Sequence, residues 1–122
     1  MNIVDSSGWL EYLSDGPKAS SFEKPLHDLG NLIVPTICLY EVFKVVLRER
    51  GEDDALQAVA LMKQGKVIDL SAKIALEAAK ISFDHKIPMA DSIVVATART
   101  YEAIVWTQDS DFKKFSGVKY FP

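Results

Sequence analysis

Four carboxylates, Asp5, Glu41, Asp91 and Asp109, lie far apart along this sequence, yet each adjoins or interrupts an apolar run. Asp5 closes the apolar opening that starts at Asn2, and Asp109 follows Ala103 to Thr107 by two residues. If both runs are strands of an open parallel sheet, both acids fall at the carboxyl rim, where such sheets bind ligands. The ordinary alternative is a helix cap or turn, since Asp is favoured in both. Asp91 sits in the first turn of a helix beginning near Pro88, where a carboxylate complements the helix dipole by roughly 0.3–1 kcal/mol. It also shares a helical face with Val94, Val95 and Ala98. A carboxylate on an apolar, buried stripe is costly unless a cation or hydrogen-bond donors meet it.

Glu41 interrupts a helix that is apolar nearly all round, and Lys44 and Arg48 fall on its stripe. Two readings are open. The stripe is either a narrow solvent face with a weak Glu41–Lys44 ion pair, or the lip of a groove with Glu41 at a metal. In the second case both cations face a phosphate backbone.

Converging carboxylates repel one another and stay ionised together only if cations neutralise them. Oxygen ligands without His or Cys suit hard ions such as Mg²⁺ or Mn²⁺ and argue against zinc. A site of that kind can activate water and steady the charge on a phosphodiester during in-line attack.

The elements that must position these acids follow from the apolar pattern. A strand at Asn2 to Asp5 leads into a helix that carries Trp9, Leu10 and Leu13, capped by Ser6 or Ser7 and ended near Asp15-Gly16-Pro17. A second helix is expected over Ala19 to Leu29 with Gly30 as its cap, then a strand at Leu32 to Val34. Helices follow over Ile37 to Arg50 and about Asp53 to Gln64, each stopped by glycine. A strand at Val67 to Leu70 precedes a helix over Ala72 to His85, capped by Ser71. The next helix runs from Pro88 to about Tyr101. Strands at Ala103 to Thr107 and Val118 to Phe121 flank a short helix after Asp109. Strands separated by helices of this length pair in parallel through crossovers. The expectation is one domain over residues 1–122, a three-layer α/β/α sandwich with a mainly parallel sheet of four or five strands.

Composition agrees. At 122 residues and 48% hydrophobic content, the chain can bury a single core. The longest uncharged apolar run, Ile93 to Ala98, is far too short for a bilayer span. The N-terminus lacks the pattern of a signal peptide, and the single cysteine, Cys38, lies in an apolar stretch, so a cytoplasmic location is expected. The net charge of −3 argues against wholesale coating of nucleic acid. It does not exclude a nuclease, because bound cations carry much of the local positive charge.

Four segments together resemble the PIN-domain family, and within it the VapC-type toxin ribonucleases of toxin–antitoxin pairs. They are Ile3-Val4-Asp5-Ser6-Ser7, Val34-Pro35-Thr36 leading to Tyr40-Glu41-Val42, Met89-Ala90-Asp91 continuing to Ala98, and Thr107-Gln108-Asp109-Ser110-Asp111-Phe112. The resemblance implies a Mg²⁺- or Mn²⁺-dependent endoribonuclease that cleaves RNA, with Asp5, Glu41, Asp91 and Asp109 as catalytic and metal-holding acids. Ser7 and Thr107 match the small polar residues that orient such a site by hydrogen bonding. The toxin branch implies a homodimer and a cognate antitoxin that occupies the pocket or covers nearby helices. Asp111 is either an auxiliary acid or the cap of the last helix, and the cap is the expectation.

His27 and His85 stand in polar surroundings and read as surface residues. Trp9, Tyr12 and Leu13 read as core. Lys44, Arg48, Arg50, Lys113 and Lys114 suit RNA phosphates and plain solvation equally well. A haloacid-dehalogenase-like phosphatase would need an acid at position 7, where Ser stands. A receiver-like domain would need an acid at the end of Ile33-Val34-Pro35, which has none. The remaining alternative is a catalytically silent PIN-like module that binds RNA or protein.

Overall fold

A strand covered on both faces needs apolar side chains at every position, and Leu32–Pro35 meets this with all four residues buried. In the computed structural model, which describes residues 1–122, this strand is β2 of a five-stranded sheet. The others are β1 (Asn2–Val4), β3 (Lys66–Ile68), β4 (Ile104–Thr107) and β5 (Val118–Tyr120), in the order β3-β2-β1-β4-β5. Every neighbouring pair is parallel. The outer strands β3 and β5 are short and partly exposed, which blunts the sheet edges.

Six helices connect the strands: α1 (Ser6–Leu13), α2 (Glu23–His27), α3 (Thr36–Arg50), α4 (Glu52–Met62), α5 (Ala72–His85) and α6 (Met89–Tyr101). From β1 the chain moves outward to β3, then returns past β2 and β1 to β4. Right-handed crossovers place α1 to α4 on one face and α5 and α6 on the other. The packing agrees, with α3 against α4 and α1, and α5 against α6. One apolar cluster fills both layers, with Trp9 and Phe22 on the first side and Val94, Val95 and Phe112 on the second. No helix is long and apolar enough to cross a membrane.

Three local expectations need correction. The helix expected over Ala19 to Leu29 is broken into a 3-10 turn (Ala19–Phe22), the short α2 and a second 3-10 turn (Leu29–Asn31) that contains Gly30. Pro25 has no N–H to give the Ser21 carbonyl, so it sits in the first turn of the short α2 rather than in the interior of one long helix. The cap of α1 is Asp5 rather than either serine, since its side chain accepts from the Gly8 N–H and both serines lie inside the helix. The third strand ends at Ile68, two residues early. By contrast, Ser71 caps α5 as expected, accepting from the Ile74 N–H.

Gly8 marks where α1 presses onto the sheet. A Cβ there would lie 2.6 Å from Val4 Cγ1 and 2.7 Å from Phe22 Cε1, both on buried side chains. We expect Gly8→Ala to lower the free energy of unfolding by about 1–3 kcal/mol through overpacking. Urea titration measures this, and a loss under about 0.5 kcal/mol would show that the contact yields freely.

Candidate active site

Between β1 and β4 the direction of winding reverses, which opens a crevice at the carboxyl ends of these two strands. Asp5 stands at the end of β1, only 3% exposed. Its carboxylate accepts from Ser7 Oγ at 2.7 Å and the Gly8 N–H at 3.1 Å on Oδ1, and from Thr107 Oγ1 at 2.8 Å on Oδ2. Each hydroxyl has a single proton, and both protons are committed to Asp5. The 3.3 Å between Ser7 Oγ and Thr107 Oγ1 is therefore a contact between two acceptors. Their lone pairs take the next loop: the Gln108 N–H reaches Ser7 Oγ at 3.2 Å, and the Asp109 N–H reaches Thr107 Oγ1 at 2.8 Å. Ser7 and Thr107 thus join the acid on β1 to the loop after β4.

That loop carries Asp109, whose side chain accepts from the Asp111 N–H at 2.9 Å and caps the 3-10 turn Ser110–Phe112. The cap is therefore Asp109, and the expectation that Asp111 caps this helix is corrected. The tight turn instead brings Asp111 beside Asp109. Oxygens of Asp91, Asp109 and Asp111 lie within 4.8 Å of one another. Asp91 reaches this point because α6 starts at the carboxyl rim, with Val94, Val95 and Ala98 buried on its inner face.

The electrostatics follow from this crowding. Burial is the main cause that pushes Asp5 from the usual 3.8 up to about 6, and its three hydrogen bonds hold it from rising further. Asp91 is pushed up to about 8, first by desolvation, then by the charge of Asp109 and by hydrogen bonding to Asp111. Beneath them lies Cys38, fully buried, its thiol raised by burial and by the charges of Asp5, Glu41 and Asp91.

Glu41 enters from α3, on the β2 side of Asp5. Ser6 Oγ donates to its Oε1 at 2.9 Å. No Glu41–Lys44 ion pair forms, and Lys44 Nζ instead lies 5.8 Å from the centre of the Tyr40 ring. The solvent-stripe alternative thus loses its ion pair. Glu41 stands at the edge of the acid group, outside the close trio. His27 and His85 are exposed, as expected.

The donor set is all oxygen, it is crowded with like charge, and two of its members are driven toward protonation. Those features fit a hard divalent cation, which would neutralise the repulsion. The fold and the site together define an open parallel α/β architecture with an acidic cluster at its switch point. A profile of the PIN domain matches residues 3–118, and the chain belongs to the PIN domain family. Among solved structures, it is similar to Mycobacterium tuberculosis VapC20, described as a Sarcin-Ricin loop cleaving toxin, with a TM-score of 0.84, 18% identity and full coverage of both chains (100% each). It is also similar to a toxin-antitoxin complex from Klebsiella pneumoniae, with a TM-score of 0.81, 19% identity, and 98% of this chain and 96% of that one covered. FitAcB from Neisseria gonorrhoeae follows at a TM-score of 0.74 and 17% identity, covering 100% of this chain and 97% of that one. A search of curated proteins finds no match.

Because Asp5 and Asp91 bind protons more tightly when folded than the usual 3.8 allows, they stabilise the fold at low pH. That contribution is lost as pH rises from the usual 3.8 to about 6 for Asp5 and on to about 8 for Asp91. In metal-free protein the free energy of unfolding should therefore fall over this window, and Asp91→Asn should flatten its upper part. Urea unfolding at a series of pH values checks this, and an unchanged slope in Asp91→Asn would refute the crowding at Asp91.

Proposed function

We propose that this chain is a divalent-metal-dependent endoribonuclease and the toxin of a toxin–antitoxin pair. The observation that carries the reading is the close approach of Asp91, Asp109 and Asp111, with oxygens within 4.8 Å at the switch point, next to a buried and oriented Asp5. Mg²⁺ or Mn²⁺ would be held by Asp5, Glu41, Asp91 and Asp109, with Asp111 joining them. When bound, the ion supplies charge stabilisation and an acidified water. The chain's own part is orientation and proton control. Ser7 and Thr107 fix the rotamer of Asp5, and the proton that Asp91 holds near neutral pH has to leave before its oxygens can serve as ligands. Glu41 has one oxygen held by Ser6 and the other without a hydrogen bond, which suits it to hold a cation or to take the proton of an attacking water. The presence of all these acids favours this reading over a silent module.

The test is cleavage of mixed RNA by antitoxin-free protein with Mg²⁺ or Mn²⁺, and with the metal chelated. Chelation should abolish cleavage. Asp5→Asn and Asp91→Asn should each lower it about a hundredfold or more, and Thr107→Val about tenfold. Full activity in both Asn variants would remove the site assignment. An inert wild type would favour the silent module.

The names of the similar structures support the partner reading, and a groove on the helical face suits it. A groove of about 660 Å³ lies between α1, α3 and α4, with Leu10, Leu13, Val46 and Leu61 along its apolar side and Glu49, Arg50 and Asp54 among its polar lining. An amphipathic segment of the antitoxin would bury its apolar side there. A second copy would cover the exposed Leu76 and Phe83, seven residues apart on α5. Light scattering of the protein alone and with its antitoxin tests both. We expect two copies per particle, a monomer with Phe83→Arg, and loss of antitoxin binding with Leu61→Glu while RNA cleavage persists. A wild-type monomer, or binding unaffected by Leu61→Glu, would overturn the respective assignment.

A further inference from the structure

Three lysines lie over tyrosine rings in this protein: Lys44 over Tyr40, Lys113 over Tyr120 and Lys66 over Tyr101. Two of the three flank the acid pocket. Tyr40 adjoins Glu41 near the start of α3, just past the carboxyl end of β2, and is 62% exposed. Tyr120 ends β5, where it pairs in register with Thr107, the residue whose hydroxyl binds Asp5. Paired residues of adjacent strands project to the same face of a sheet, so Tyr120 shares a face with Thr107. Lys113 reaches its ring from the segment that follows Asp111, at 5.3 Å from the centroid. The sheet order sets β2 and β5 on opposite sides of β1. Three strand spacings, about 14 Å, separate them across the pocket.

The third pair lies at the other end of the molecule. Lys66 begins β3 and Tyr101 ends α6, both at the amino rim of the sheet. It has the same chemistry but lies at the opposite rim of the sheet from Asp5, Asp91 and Asp109.

We propose that the two flanking pairs form a clamp for single-stranded RNA, with a base on each tyrosine, the neighbouring phosphates on Lys44 and Lys113, and the intervening phosphodiester over the carboxylates. This rests on the ribonuclease reading above and adds to it the residues that hold the strand on either side of the reacting phosphodiester. An aromatic face holds any base by stacking, and the base must be unstacked from its neighbours to reach it. Cations are placed on both sides because the pocket itself repels phosphate. None of Tyr40, Lys44, Lys113 and Tyr120 belongs to the acidic site, so their role is to hold and orient the strand. In the free protein each ammonium rests on its ring, and it can swing to a phosphate without breaking an ion pair, since the salt bridges in this chain involve only Arg48 and Lys80.

The experiment measures binding of a short fluorescent single-stranded RNA to full-length protein carrying Asp91→Asn, so that RNA is held and not cut. Tyr40→Leu and Tyr120→Leu should each weaken binding about tenfold, while Tyr40→Phe and Tyr120→Phe keep it. Lys44→Ala and Lys113→Ala should each reduce the slope of log K against log salt by about 0.7. Tyr101→Leu and Lys66→Ala should change nothing, and an RNA duplex should bind more weakly than the single strand. Thermal unfolding of every variant confirms that each is folded. Leu variants that bind like the parent overturn the clamp, as do equal losses at Tyr101 or equal affinity for duplex. Those results, beside a wild type that cleaves RNA, leave the ribonuclease reading standing. A wild type that neither binds nor cleaves RNA overturns both.

Discussion

An ionised carboxylate out of contact with water must be met by donors or a cation, and Asp5 places that demand at the centre of the sheet. Its three donors come from α1, from the helix backbone at Gly8 and from the end of β4. The same two hydroxyls then fix the loop after β4. One buried charge thereby ties together β1, α1, β4 and the segment bearing Asp109 and Asp111. The capping role and the chemical role of Asp5 are not rivals: the oxygen that ends α1 belongs to the carboxylate that faces the crevice.

Winding order decides where the rest of the charge collects. Because α6 returns to the sheet beside β1, its first turn projects Asp91 toward the loop after β4, and three like charges meet where only two chain segments had to be placed. Burial first, and then their repulsion, keep Asp91 partly protonated near neutrality. The site is destabilising on its own and is relieved by the kind of ligand it suits. Folding strength and readiness to bind are opposed at this point, as they often are at functional sites.

Much of this was legible in the sequence, for reasons that differ from residue to residue. Asp5 and Asp109 showed themselves by following apolar runs, and Asp91 by sharing a stripe with Val94, Val95 and Ala98, all buried in the structure. Glu41 was ambiguous because its spacing to Lys44 suits an ion pair, and a serine 35 residues away settles its hydrogen bonding instead. Asp111 is not the cap its position suggests, because a 3-10 turn of three residues depends on where β4 stops, which local pattern does not fix. The broken second helix did carry a signal, Pro25, whose missing N–H outweighs the apolar spacing around it. The joining of β1 to the β4 loop by Ser7 and Thr107 leaves no periodic trace, since the segments it links lie about a hundred residues apart.

The floor of the pocket has one more property. Cys38 is sealed from solvent beneath three carboxylates, and losing its proton would add another negative charge to a place already short of positive ones. Thiol oxidation and alkylation begin with the thiolate. The one sulfhydryl in the chain is thus kept from ionising first by its burial and then by the nearby acids, which leaves oxidants that attack thiolates little to react with here.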